Sequence, residues 1–369
     1  MSALFMPKKI YIEEHALDFP VTKSILKRLP QIPHEIITDT KALNESLRQK
    51  KDPIGEGKRS LLLAYDKGRS FKPFPESEQY LSCDYFTLHT AEGCDLECSY
   101  CILQAYLTNP LLTVYVNLDE MLLNLERVLR ENPSKIFRVG TGQLADSLSL
   151  DHITGFSEIL VPFFTKQPNA VLELKTKSVN IDRLIRLNPR GNVMVAWSIN
   201  SKKITREEEH KCSSIEERLH AARRLAALPG WRVNFHFDPI IDYPGWQADY
   251  EEVIEALFKE IPEDKIGWIS IGCLRMMPEL KPIMEDRFPK SKLPAAEWIK
   301  GMDGKLRYFK PSRIDIYKTI VGMIRKRAKQ VTLYLSMESP EVWEQVFGDP
   351  VTKETVCQLL DGAAKKVVA

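Results

Sequence analysis

No stretch of the chain approaches the ~20 consecutive apolar residues that a membrane-spanning helix needs, so no integral membrane protein is expected. The opening MSALFMPKKIYIEE puts its lysines after a short apolar run and offers no small-residue cleavage site, which predicts no secretory leader. Fixed-period repeats and low-complexity blocks are missing, which excludes solenoids and disordered tracts. An excess of one charge is missing too: 52 Lys and Arg stand against 50 Asp and Glu, a net charge of +2. That balance neither requires nor excludes a nucleic-acid partner, because a basic face can sit within a neutral total. Cysteine is scarce, with 7 in 369 residues. An odd number with three clustered is a poor disulfide framework; it points to metal binding in a reducing compartment, and a cytoplasmic location is expected.

What is present is a rhythm. Residues 1–80 read as an irregular N-terminal α/β region, with KKIYIEE as a strand and TKSILKRL and TKALNESLRQ as short helices. From about residue 84, short β-branched or aromatic runs recur as YFTLHT (85–90), KIFRVGT (135–141), AVLELKT (170–176), NVMVAWSIN (192–200), WRVNFHFDPI (231–240) and KIGWISIGC (265–273). Helices are expected between them, in LDEMLLNLERVLREN, DHITGFSEILVPFFT, NIDRLIRLN, SSIEERLHAARRLAAL, DYEEVIEALFKEI and PELKPIMEDRF. Ser213 with Glu216 reads as the capping box of the fourth. Strand and helix in alternation imply parallel strands with right-handed crossovers. Six units fall short of the eight of a closed barrel. The expected fold class is therefore α/β, a partial (β/α)6 TIM-like barrel over residues 81–290, with a doubly wound open sheet as the alternative. Residues 291–369 read as a separate C-terminal hairpin and helix region.

Three cysteines, Cys94, Cys98 and Cys101, form a C-x3-C-x2-C array directly after the first predicted barrel strand, where catalytic loops gather. A structural zinc site wants four closed ligands, and a ferredoxin-type cluster wants four thiolates. Three thiolates on a cubane leave one iron open to a substrate or cofactor. A zinc-stabilised binding module remains the non-enzymatic alternative.

The array, with Tyr100 just before its last cysteine, resembles the radical S-adenosylmethionine superfamily. Within it the chain is similar to the spore photoproduct lyase family, through KKIYIEEHALDFP, VYVNLDE (114–120), LDHIT (150–154), WSINS (197–201), ERLHAARRLA (217–226), DPIIDYPGW (238–246), LKPIMEDRFPKSKL (280–293) and GKLRYFKP (304–311). The resemblance implies a DNA-repair lyase with a [4Fe–4S] cluster on Cys94, Cys98 and Cys101. It implies S-adenosylmethionine against Tyr100, Lys177 and Ser198, with Asn200 a further candidate beside Ser198; from their own positions Asp146 and Asp238 are further candidate contacts, Asp238 weighed against a plain turn start. Lys305, Arg307 and Tyr308 would meet damaged DNA, and a flavodoxin or ferredoxin would supply electrons to a monomer. Lys177 suits a carboxylate as a point charge, and Ser and Asn suit ribose hydroxyls.

The chain also departs from the family. Its hydrogen-returning cysteine falls at about Gln143, and the tyrosine after the third cluster cysteine is Ile102. These departures leave open another lesion, or RNA, a nucleoside or a peptide as substrate. Cys273, at the end of the sixth strand, is the candidate replacement donor, against its reading as a small buried hydrophobe. Asp146 is weighed as a cap, Gly140 and Gly142 as a plain turn, and His89 as a core histidine.

Overall fold

The computed structural model of the chain describes residues 4–68, 70–75, 77–81 and 84–368; Cys83 lies outside them. All six predicted barrel strands form: Tyr85–Leu88, Phe137–Gly140, Ala170–Thr176, Val193–Ser198, Arg232–Ile240 and Ile266–Cys273. They pair in parallel in chain order, and Thr332–Leu335 adds a seventh parallel strand beyond the sixth. On the other side Phe71–Pro73 pairs antiparallel with the first strand. The strand order never reverses, so there is no switch point and the doubly wound alternative falls away. The sheet curls without its two edge strands pairing, leaving an open partial barrel. Inside it and under the helices pack Trp197, Trp231, Phe235 and Phe237, none more than 1% exposed. Among the described residues no helix is long and apolar enough to cross a membrane.

A second sheet, ordered His34–Ile37, Lys9–Glu13, Ser60–Ala64, Leu112–Tyr115 and Ala91–Glu92, draws strands from both sides of residue 80. Its last two strands flank the cysteine array in sequence, so the array is a loop clamped at both ends by this sheet. The C-terminal region forms the expected hairpin, Ile299–Lys300 against Leu306–Arg307.

Local departures from expectation have local causes. The helix expected over 151–165 breaks into Asp151–Thr154 and Ser157–Thr165 at Gly155, whose φ of +68° is the left-handed cap that ends a helix. NIDRLIRLN makes only a 3-10 turn at Leu184–Arg186, and the backbone is already extended at Leu187, two residues before Pro189. The capping box is one residue later than expected. Ser214 has the extended backbone of an N-cap, and its side chain accepts from the Glu217 N–H while the Glu217 carboxylate accepts from the Ser214 N–H.

Candidate active site

The C-terminal ends of the barrel strands open onto a cavity of about 870 Å³. Cys94, Cys98 and Cys101 all line it, brought there by one loop. The loop is braced along its length. The Ser99 N–H donates to the Glu208 carbonyl at 2.8 Å, and the His210 N–H donates to the Glu97 carbonyl at 3.0 Å, so residues 97–99 run antiparallel to the turn at 208–210. Gln104 donates to the Ser99 carbonyl at 2.9 Å. From beneath, the buried Lys58 ammonium sits 3.4 Å from the Leu96 carbonyl and 3.7 Å from the Glu97 carboxylate. Burial opposes its charge, but the fields of Cys101, Glu97, Cys94 and Cys98 outweigh that and raise its pKa.

The three thiols differ. Burial pushes Cys94 and Cys101 up. Cys98 is lowered to about 7, chiefly by a hydrogen bond with Cys212, whose Sγ is 3.5 Å away, with the Lys177 ammonium assisting against burial. Among the described residues no set of three His, Cys, Asp or Glu side chains converges on the position of a single metal ion. That disfavours a structural zinc. Three thiols carried by one loop onto one cavity suit a cubane, which takes one thiolate per iron.

Lys177 is held at the cysteine loop. Its Nζ donates to the Tyr100 hydroxyl at 2.7 Å, lies 3.1 Å from the Glu209 carboxylate and 3.6 Å from the Cys98 sulfur, and stands over the Tyr100 ring. The Tyr100 hydroxyl donates to Glu209, and Arg218, fully buried, pairs with the other carboxylate oxygen and donates to the Ser198 carbonyl at 2.9 Å. Asp146 braces this arrangement from the second strand's loop. It accepts from the Leu148 and Ser149 N–H groups and the Thr176 hydroxyl through one oxygen, and from the Lys177 N–H through the other.

Ser198 and Asp238 line the cavity, and the Ser198 hydroxyl makes no hydrogen bond among the described residues. Burial raises the Asp238 carboxyl, but Arg275 at 3.3 Å, with Lys175, brings it down to about 2. Asn200 does not line the cavity. Its amide donates to the Pro239 carbonyl and accepts from the Ser201 N–H and the Tyr250 hydroxyl, so it fixes the strand end instead. Arg307 and Tyr308 are likewise internal. Arg307 pairs with Asp303 at 2.8 Å and covers the Tyr80 ring, while Tyr308 stacks on Trp298 at 5.0 Å. Of the expected DNA contacts only Lys305 reaches the cavity. Cys273, 2% exposed, does not line it, and burial pushes its thiol well up. His89 is a buried strand-end residue, lowered to about 4 by burial.

Further side chains complete the floor. Glu173 receives Asn234 and Trp268 at 2.8 Å each on one oxygen, with His236 Nε2 at 3.2 Å, and the Tyr85 hydroxyl at 3.2 Å on the other. A Cβ at Gly140 would sit 1.7 Å from that hydroxyl, so the glycine makes room for Tyr85. Lys175 lines the cavity beside them, and its ammonium makes no hydrogen bond among the described residues.

Burial alone would raise Glu173 and Glu209, yet their cationic and hydrogen-bonding partners hold both at about 2, against an ordinary 4.5. A depressed carboxylate stabilises the fold above its unfolded pKa and loses that contribution as the pH falls through the folded one. Urea midpoints are therefore expected to fall steeply between about pH 4.5 and 2, as these two carboxylates protonate. A flat profile across that window would contradict the assignment.

The spore photoproduct lyase family profile matches residues 5–335. Curated spore photoproduct lyases from a Geobacillus species and from Bacillus subtilis are 26% and 25% identical over 93% and 86% of this chain, covering 99% and 90% of their own lengths. A solved spore photoproduct lyase double mutant with bound AdoMet and dinucleoside spore photoproduct superposes with a TM-score of 0.79 at 23% identity, over 90% of this chain and 100% of that one. With a profile match spanning the cysteine loop, every barrel strand and the hairpin, the chain belongs to the spore photoproduct lyase family of radical S-adenosylmethionine lyases.

Proposed function

We propose that the chain repairs or remodels photodamaged DNA, with a [4Fe–4S] cluster on Cys94, Cys98 and Cys101 and S-adenosylmethionine in the cavity above it. The observation that carries this reading is the convergence of all three cysteines with Lys175, Ser198 and Asp238 on one cavity. Bound there, the cluster would supply the one-electron reduction that breaks the sulfonium, chemistry that belongs to the cofactors. The chain's own residues bind and orient. The Lys175 ammonium, which makes no hydrogen bond among the described residues, suits a carboxylate, the Ser198 hydroxyl suits a ribose oxygen, and anionic Asp238 accepts from an amine or hydroxyl. Leu96, Ile102, Leu144 and Leu274 give the cavity apolar walls that exclude water. At its mouth Lys300 and Lys305 flank Met302, which is 66% exposed. Two cations beside an exposed apolar tip suit phosphate contact and partial unstacking of a duplex. That a spore photoproduct lyase of this fold holds both AdoMet and a dinucleoside spore photoproduct supports the reading.

Gln143 and Ile102 line the cavity where the family resemblance places a donor cysteine and a tyrosine. Among the described residues no thiol besides Cys94, Cys98 and Cys101 lines it. This favours a second reading of the substrate, the same radical start on a different lesion or on RNA, a nucleoside or a peptide. It also predicts that 5′-deoxyadenosine does not give its hydrogen atom up again, so S-adenosylmethionine is consumed and the product radical is quenched by an outside reductant such as dithionite. Mass spectrometry after incubation with ultraviolet-irradiated DNA, S-adenosylmethionine and dithionite is expected to show altered lesions, with about one 5′-deoxyadenosine per lesion converted. Unchanged DNA with 5′-deoxyadenosine still formed would shift the substrate to the second reading. Many conversions per 5′-deoxyadenosine would overturn the stoichiometry.

A further inference from the structure

Cys212 lies outside the cysteine array, 114 residues from Cys98 in the chain, yet their sulfurs are 3.5 Å apart. The contact is built into the backbone. Cys98 bridges antiparallel to Glu209, and the Cys212 N–H donates to the Glu209 carbonyl at 3.1 Å, closing a turn that presents the thiol to Cys98. Glu209 is itself anchored by the buried Arg218. The geometry does not suit a fourth ligand. Two ligands of one cubane bind different irons and stand apart, whereas Cys212 rests against a sulfur that is already a ligand.

We infer that Cys212 is a positioning residue for the cluster, its thiol donating a hydrogen bond to the Cys98 sulfur and raising the reduction potential. The inference rests on the cluster reading above. Reduction adds negative charge, which spreads onto the ligand sulfurs, and a donor aimed at one of them stabilises the reduced form. Lys177, 3.6 Å from the same sulfur, is the second donor. Neither Cys94 nor Cys101 has such a side-chain pair among the described residues, so the tuning is concentrated on Cys98.

The test is a potentiometric titration of the anaerobically reconstituted full chain, followed by electron paramagnetic resonance, for wild type, C212A and C212S, with iron and sulfide counted in each. All three proteins are expected to carry the same iron and sulfide. The C212A midpoint is expected to move to more negative potential, and C212S to stay with wild type because its hydroxyl still donates. A C212A midpoint equal to wild type, or C212S moving with C212A as a packing effect would require, overturns the inference while leaving the cluster reading intact. Iron lost from C212A alone makes Cys212 a ligand and also overturns it. Iron absent from wild type overturns the cluster reading and this inference with it.

Discussion

Alanine at Cys98 is expected to abolish bound sulfide and all 5′-deoxyadenosine formation, while alanine at Cys273 leaves both unchanged. The contrast follows from placement. Cys98 lines the cavity with Cys94 and Cys101 on a loop clamped by the N-terminal sheet, whereas Cys273 is buried away from it, its N–H bonded to the Tyr317 hydroxyl. With one sulfur gone an iron loses its ligand, and no substitute is at hand. Cys212 is close enough to touch Cys98 but is carried by a different turn. Iron and sulfide assay with product chromatography checks this. Retained sulfide in the Cys98 variant would show that Cys212 steps in as a ligand, contrary to the geometry.

The second large effect is on stability. Glu209→Ala is expected to cost about 3–5 kcal/mol, the loss typical when one partner of a buried ion pair is removed. Arg218 has no exposed side-chain surface and would be left as an uncompensated buried cation. The same change removes the carboxylate that the Tyr100 hydroxyl and the Lys177 ammonium share, leaving them only each other and the Cys98 sulfur, so the cysteine loop loosens with it. Urea denaturation read by circular dichroism measures the loss. A change under about 1 kcal/mol, the range of exposed pairs, would mean that the pair is solvated and the loop is held by other contacts.

How much of this was legible in the sequence follows from the range of the forces involved. All six barrel strands were readable, because each is a compact β-branched or aromatic run, and the cysteine loop was readable from spacing alone. Lys177 and Ser198, candidates through resemblance, and Asp146 and Asp238, candidates from their places at loop starts, all line the cavity. Three other candidates have internal partners, because exposure is a tertiary property. Asn200, Arg307 and Tyr308 are polar or aromatic in sequence, yet Pro239, Asp303 and Trp298 consume them. Cys212, Glu209 and Lys58 gave no local signal, since each meets the cluster loop across a long stretch of chain. The floor residues did give one. Glu173 and Lys175 alternate with apolar neighbours on the third strand, as do Asn234, His236 and Asp238 on the fifth. Period-two polarity on strands that are otherwise apolar marks side chains facing the barrel interior.

The central claim is that three sulfurs hold a cubane with one iron open to S-adenosylmethionine. Metal and sulfide analysis of the anaerobically reconstituted chain, with electron paramagnetic resonance of the reduced protein before and after S-adenosylmethionine is added, tests it most directly. The account predicts about four iron atoms and four sulfides per chain, the content of one [4Fe–4S] cluster, and a spectrum that changes when S-adenosylmethionine binds. Zinc in place of iron and sulfide, or a cluster spectrum unmoved by S-adenosylmethionine, would contradict it.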